Sequence, residues 1–263
     1  NIVYLVHGGR KFYDQARMSL LTLLDFLFKQ GRHDYRIVVY CDDPQSLPQH
    51  PFIHFIRIPP EQLKSWRGPL EHVHRIKLEI LRNAAARLND PFIYVDCDTR
   101  WLRLPDVEFE ALVPDSSAGK PVFFMHMNDG ELSPTFYPHY FHHLTTYASL
   151  ELAPWGIRPR PWLMWNSGVV GVSPKNAGSF FDEALAVCDL LLPYLRPRLF
   201  TEQCAISLLA QSRFELRPFD HCLHHYWNFS SEAPIYLESI FTGLSATMSI
   251  EQRVKPAATF KPE

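Results

Sequence analysis

The sequence predicts an α/β protein: a mixed, mostly parallel sheet flanked by helices. Two observations carry this. Short apolar, β-branched runs alternate along the chain with longer segments whose Leu and Ile recur at helical spacing. Three of the runs end on the polar residues His7, Asp42 and Asp96, at strand ends where open α/β sheets collect ligands. A chain of 263 residues, 46% of them hydrophobic, is long enough to bury one large core.

The elements follow in order. Ile2–Val6 reads as a buried strand, followed by a His7-Gly8-Gly9 turn. Residues 14–30 read as a Leu-rich helix, with Asp14 as its N-cap and Gly31 just past its end. Strands are expected at 35–41 and 52–58, a helix at 72–88, and a fourth strand at Phe92–Val95 that runs into Asp96-Cys97-Asp98. Beyond it come a strand at 121–127, an aromatic, His- and Pro-rich insertion at 128–162, and a strand at Val169–Val172. A helix with Ser173 at its N-cap and Pro174 at its first position is expected to reach about Leu195. A further helix at 201–211 and a short strand at 214–216 precede a His-rich cluster at 220–228. Residues 254–263 read as a loose tail.

Composition narrows the function. A net charge of −2 argues against a nucleic-acid binder, which carries a strong basic excess. No apolar run is long enough to span a membrane, although peripheral membrane contact stays open. Five cysteines without a C-x-x-C pair favour a reducing compartment, hence a cytoplasmic location. The chain opens on Asn1 rather than Met, which leaves room for a preceding segment, and Ile2–Val6 is a core strand rather than part of a signal peptide.

The most specific local signal is Tyr94-Val95-Asp96-Cys97-Asp98-Thr99. Two aspartates one residue apart, directly after a strand, can turn both carboxylates toward one hard cation, which can also bridge diphosphate oxygens. The alternative is an Asx-type turn that caps backbone amides. Phosphatases of the haloacid dehalogenase type also carry D-x-D after a strand, but near the N-terminus and with Thr or Val where this chain has Arg100.

With these residues in view, the sequence resembles the GT-A glycosyltransferases, a Rossmann-like family, and especially their retaining, family 8-like branch. The opening strand, turn and helix resemble the nucleotide-binding start. Arg75 to Asp98 resembles the helix leading into the family's YLDxDT segment, and Trp165 to Gly171 (WNSGVVG) its NSG-type strand. Thr201 to Ala205 (TEQCA) resembles its D-Q-D helix start, with Glu202 in place of Asp and Gln203 in the matching place, and His225-Tyr226 its late H-Y pair; the Lys-Pro-Trp that follows in the family is absent.

The resemblance implies one GT-A domain over 1–253, with a nucleotide-binding half at 1–100 and a sugar and acceptor half at 101–253. It implies transfer of a sugar from a nucleotide-diphosphate sugar, a UDP-sugar foremost, to a glycan or other hydroxyl acceptor. Asp96, Asp98 and His225 would bind Mn2+ or Mg2+, with His224 and His221 as alternatives to His225. Glu202 and Gln203 would be catalytic. His7, Gly8, Asp42, Arg75, Lys77, Asn166 and Ser167 are the donor-binding candidates. Of Arg75 and Lys77, one is expected at the diphosphate and the other in solvent. Trp155, Trp162 and Trp165 either stack on an acceptor sugar or pack as core, the commoner fate of such rings. The competing functions are a sugar nucleotidyltransferase, for which only His7 to Lys11 resembles a phosphate loop, and a catalytically silent nucleotide-sugar binding module.

Overall fold

A computed structural model of the chain describes residues 1–113, 119–158, 161–229, 232–242, 244 and 248–259, without the side chains of 147–149. Its main sheet has seven strands in the order β10 (Glu215–Pro218), β6 (Val122–Met125), β9 (Val169–Val172), β4 (Phe92–Val95), β1 (Ile2–Val6), β2 (Ile37–Cys41) and β3 (Ile53–Arg57). The pairs β1–β2, β2–β3 and β10–β6 are parallel and β6–β9 is antiparallel. β5 (Thr99–Trp101) pairs with β11 (Leu223–His225), and β7 (Asn128–Glu131) with β8 (Leu163–Trp165), as two small antiparallel ribbons. The helices are α1 (Arg10–Lys29), α2 (Pro60–Trp66), α3 (Arg75–Arg87), α4 (Asp106–Leu112), α5 (Pro138–His143), α6 (Ser149–Leu152), α7 (Pro174–Ala177), α8 (Phe180–Leu191), α9 (Thr201–Arg213), α10 (Ala233–Thr242) and α11 (Ile250–Ala257).

The chain gathers into two compact units, each assembled from segments distant in sequence. The first comprises Asn1–Pro59, Tyr94–Val107 and Asp220–Glu263. Within it α1 buries Leu20, Leu21, Leu23, Leu24 and Leu27, each worth roughly 1.5–3 kcal/mol of transfer from water. A buried polar chain pins α1 to the strands: Trp101 Nε1 donates to Tyr4 Oη at 2.8 Å, Tyr4 Oη and Ser19 Oγ lie 2.9 Å apart, and Ser19 Oγ and Thr99 Oγ1 lie 2.7 Å apart. α10 and α11 pack on α1. The second unit comprises Pro60–Ile93 and Glu108–Phe219, in which α3, α8 and α9 pack in sequence. Phe123, Phe180 and Phe214 form its aromatic centre, with ring centroids 5.0–5.3 Å apart.

Several expectations are corrected. α1 starts at Arg10, one turn before Asp14, with Gly9 as an N-cap that offers no side chain. Asp14 instead pairs with Arg10 at 3.3 Å and Arg17 at 3.2 Å, along the helix surface. The helix expected from Ser173 to about Leu195 is two helices: Gly178 (φ 44°, ψ −123°) takes a conformation open to glycine and interrupts it, and Ser173 makes no side-chain cap. The loose tail is helical as far as Ala257, because Ser249 and Gln252 close a capping box ahead of it; residues 260–263 lie outside the described residues. All five cysteines are buried thiols. No helix among the described residues is long and apolar enough to cross a membrane.

Candidate functional site

In the first unit, β4 delivers Asp96 and Asp98 into a tight turn. Tyr94 Oη donates to Asp96 Oδ1 at 2.7 Å, Thr99 Oγ1 donates to the Asp96 carbonyl at 2.9 Å, and Cys97 Sγ donates to the Leu5 carbonyl at the end of β1. The β5–β11 ribbon sets His225 opposite Thr99. His225 Nε2 thereby reaches Asp98 Oδ1 at 3.2 Å, and one ligand atom each from Asp96, Asp98 and His225 lies within 4.8 Å of the others. Two carboxylates and an imidazole make a donor set suited to manganese, and through the carboxylates to magnesium. His225 is buried, 8% exposed. Its neighbour His224 points off this cluster: β-strand side chains alternate, and His224 is opposite Arg100.

The same unit brings His7-Gly8 and Asp42 together, just past the parallel ends of β1 and β2. The Gly8 N–H donates to Asp42 Oδ2 at 3.3 Å, and Gly8 holds φ at +93°. Tyr13 Oη donates to Asp42 Oδ1 and accepts the Asp43 N–H at 2.8 Å. Burial and the adjacent Asp42 carboxylate push the Tyr13 phenol well above its ordinary range, so it stays a donor.

In the second unit, β8 leads into Asn166 and Ser167, and the first turn of α9 carries Glu202 and Gln203; all four are buried. Ser167 Oγ donates to Glu202 Oε2 at 3.3 Å, and the Ser167 N–H donates to Gln203 Oε1 at 3.3 Å. From α3, Lys77 Nζ donates to the Ser167 carbonyl at 3.2 Å and lies 3.7 Å from Glu202 Oε1. Asp129, which the sequence reading did not single out, accepts from both Asn166 Nδ2 at 3.2 Å and Gln203 Nε2 at 3.1 Å. Lys77, Asp129, Asn166, Ser167, Glu202 and Gln203 thus form one polar cluster.

Arg75 stands apart from it. Its guanidinium grips Asp189 through Nε (2.7 Å) and Nη2 (3.0 Å), and Glu79 and the Trp66 carbonyl through Nη1. Neither Arg75 nor Lys77 is the solvated cation expected, because each has carboxylate or carbonyl acceptors from neighbouring elements. Trp162 is core, 2% exposed, while Trp155 and Trp165 are half-buried. A cavity of about 270 Å³ in the first unit, lined by Arg17, Leu21, Gln45, Ser46 and Phe241 among others, contains none of the expected site residues.

No protein-family model matches the chain, and no curated protein matches it in sequence. Solved structures do. The chain is similar to mouse xyloside xylosyltransferase 1 in its apo form, at 13% identity over 82% of this chain and 84% of that one, with a TM-score of 0.53. It is also similar to the galactosyltransferase LgtC in complex with donor and acceptor sugar analogs, at 11% identity over 100% of this chain and 97% of that one, with a TM-score of 0.50. In fold, the chain stands with the GT-A glycosyltransferases.

Proposed function

We propose that this chain is a metal-dependent glycosyltransferase that takes a sugar from a UDP-sugar and passes it, with retention, to a hydroxyl acceptor. The observation that carries the reading is the convergence of Asp96, Asp98 and His225, residues up to 129 apart in sequence, on one set of ligand distances. Sugar transfer breaks the bond between the anomeric carbon and the diphosphate, and the leaving group gains negative charge. Manganese or magnesium held by these three side chains would neutralise that charge when bound. His7, Gly8 and Asp42 would meet the nucleoside, Asp42 through a carboxylate already oriented by Gly8 and Tyr13. The structural neighbours fit this reading: one is named a xylosyltransferase, and the other was solved with donor and acceptor sugar analogs. The buried thiols suit a reducing compartment such as the cytoplasm.

The Lys77–Glu202 cluster suits the sugar. The cluster sets two carboxylates, Glu202 and Asp129, against one ammonium, Lys77. Such a network favours the positive charge that develops at an anomeric carbon. In a retaining reaction the incoming hydroxyl arrives on the leaving-group side, so its proton passes to the departing phosphate and no carboxylate base is needed there.

The test is calorimetric titration of UDP with manganese and with chelator. Manganese is expected to tighten UDP binding in the wild type and to have little effect in Asp98→Ala. Equal affinity with and without chelator would sink the proposal.

A further inference from the structure

We propose that Asp129 is a positioning residue that sets which way the two amides of the sugar cluster, Asn166 and Gln203, face. This rests on the reading above, in which those amides meet the donor sugar.

An amide side chain can invert about its last bond and exchange a donor for an acceptor at little intrinsic cost, so its orientation is decided by its neighbours. Asp129 supplies an asymmetric neighbour. A carboxylate only accepts, and its Oδ2 takes an N–H from Asn166 at 3.2 Å and from Gln203 at 3.1 Å. Both NH2 groups are therefore turned toward Asp129. The opposite ends are matched: Asn166 Oδ1 accepts the Gly168 N–H at 2.9 Å, and Gln203 Oε1 accepts the Ser167 N–H at 3.3 Å. Each NH2 has two N–H bonds and gives one to Asp129. A sugar hydroxyl meeting the Gln203 NH2 would thus find a donor of fixed direction. Without Asp129, each amide is held only at its oxygen, by the Gly168 N–H for Asn166 and the Ser167 N–H for Gln203, and its NH2 loses the acceptor that fixes its direction.

The backbone is shaped for this. β7 and β8 pair Asn128 with Trp165 and Gly130 with Met164, and the register shifts between Asn128 and Gly130. Asp129 is the extra residue of that irregularity. Bulges of this kind turn one side chain out of the ladder's alternation and re-aim it. Gly130 supports the kink with φ at +118°, and its N–H is taken by Asn128 Oδ1 at 2.9 Å. The strand partner, β8, is the one that delivers Asn166. A two-strand ribbon therefore carries one of the amides and the group that orients both.

The experiment uses the full chain with magnesium, which is diamagnetic, as wild type, Asp129→Asn, Asp129→Ala and the control Glu131→Gln. The Asn variant keeps size and shape but no longer only accepts. Two readouts are taken. The first is the side-chain NH2 signals of Asn166 and Gln203 in nitrogen–proton correlation spectra, without ligand. Both pairs are expected to move in Asp129→Asn and Asp129→Ala and to stay put in Glu131→Gln. The second is calorimetric affinity for UDP and for UDP-glucose, UDP-galactose and UDP-xylose. Affinity for UDP is expected to hold, while affinity for the UDP-sugar that the wild type prefers falls roughly 3- to 10-fold, the scale of one lost hydrogen bond. Unmoved NH2 signals would overturn the proposal whatever the donor. Equal loss for UDP and UDP-sugar, or no loss for either, would overturn it too. Moved signals in a protein that ignores every UDP-sugar would leave the positioning intact and refute the function instead.

Discussion

Glu202 is where the chemistry can be tested most directly. A carboxylate in the first turn of a helix is favoured by the helix dipole alone. Here, however, Glu202 is buried, 2% exposed, and sits between the Ser167 hydroxyl and the Lys77 ammonium. Glu202→Gln keeps the shape and removes the charge. Turnover is expected to fall about 100-fold or more, as when one transition-state electrostatic contact is removed, with UDP affinity unchanged. NMR of the product reads the course; inverted stereochemistry would refute retention, and an unimpaired variant would leave Glu202 as a helix-start charge. Residues at this site differ in how visible they were in sequence. Asp96 and Asp98 are two positions apart after an apolar strand, so their neighbourhood is local. His225 reaches Asp98 only through the β5–β11 pairing across 127 residues, which no local pattern encodes; the family resemblance supplied it. Asp129 left no trace, because a one-residue register shift, not a periodicity, aims it. Arg75 is one of two diphosphate candidates by sequence, and its pairing with Asp189, 114 residues on at 2.7 Å, is a contact that no local pattern encodes.

Elements were legible where their signal was local and undivided. β1, β4 and β9 fall where their β-branched runs place them, since a fully buried strand needs no partner to be recognised as apolar. The ribbons were not legible: β5, β8 and β11 have three residues each and β7 has four, too few for alternation to register. The break at Gly178 was hidden because an isolated Gly inside a helical pattern is tolerated more often than it interrupts. At the C-terminus, polarity masked α11. Ser249 Oγ accepts the Gln252 N–H and Gln252 Oε1 accepts the Ser249 N–H, which satisfies two otherwise orphaned donors at the helix start. α11 then packs Val254 and Ala257 against α1. Ser249→Ala is expected to cost about 1 kcal/mol, the usual loss for a capping serine, read as a lower urea midpoint with unchanged slope. No change would mean that packing against α1 holds α11 without its cap.

At the scale of the whole molecule, the distribution of titratable groups fixes how stability depends on pH. Burial lowers the pKa of His50, His72 and His143 below the ordinary 6.5. Glu251 beside His50, Glu151 beside His143 and Asp189 beside His72 pull the other way without reversing the sign. Such a histidine binds fewer protons folded than unfolded, so stability rises with pH across its window. It is intact above about 6.5, begins to fall as the unfolded chain protonates, and is fully lost only below the folded pKa. A second window lies lower. Arg32 holds Asp34 below its ordinary 3.8, and Arg213 holds Glu183 below its ordinary 4.5. Their contribution is present above those values and is lost as pH falls through the lowered ones. The causes differ, and salt separates them. Asp34 is 64% exposed and its attraction to Arg32 is screened, whereas the burial that keeps His72 neutral is not. The urea midpoint is therefore expected to drop between about pH 7.5 and pH 5 to a similar extent at low and at roughly molar salt, while the further drop below about pH 4.5 shrinks in salt. His72→Gln isolates the upper window: His72 Nε2 has no hydrogen-bond partner to lose, and the new side chain does not titrate. Its midpoint is expected to vary less with pH than that of the wild type. A wild-type midpoint that stays flat from about pH 7.5 to pH 5 would show that these histidines take up protons as readily in the folded chain as in the unfolded one.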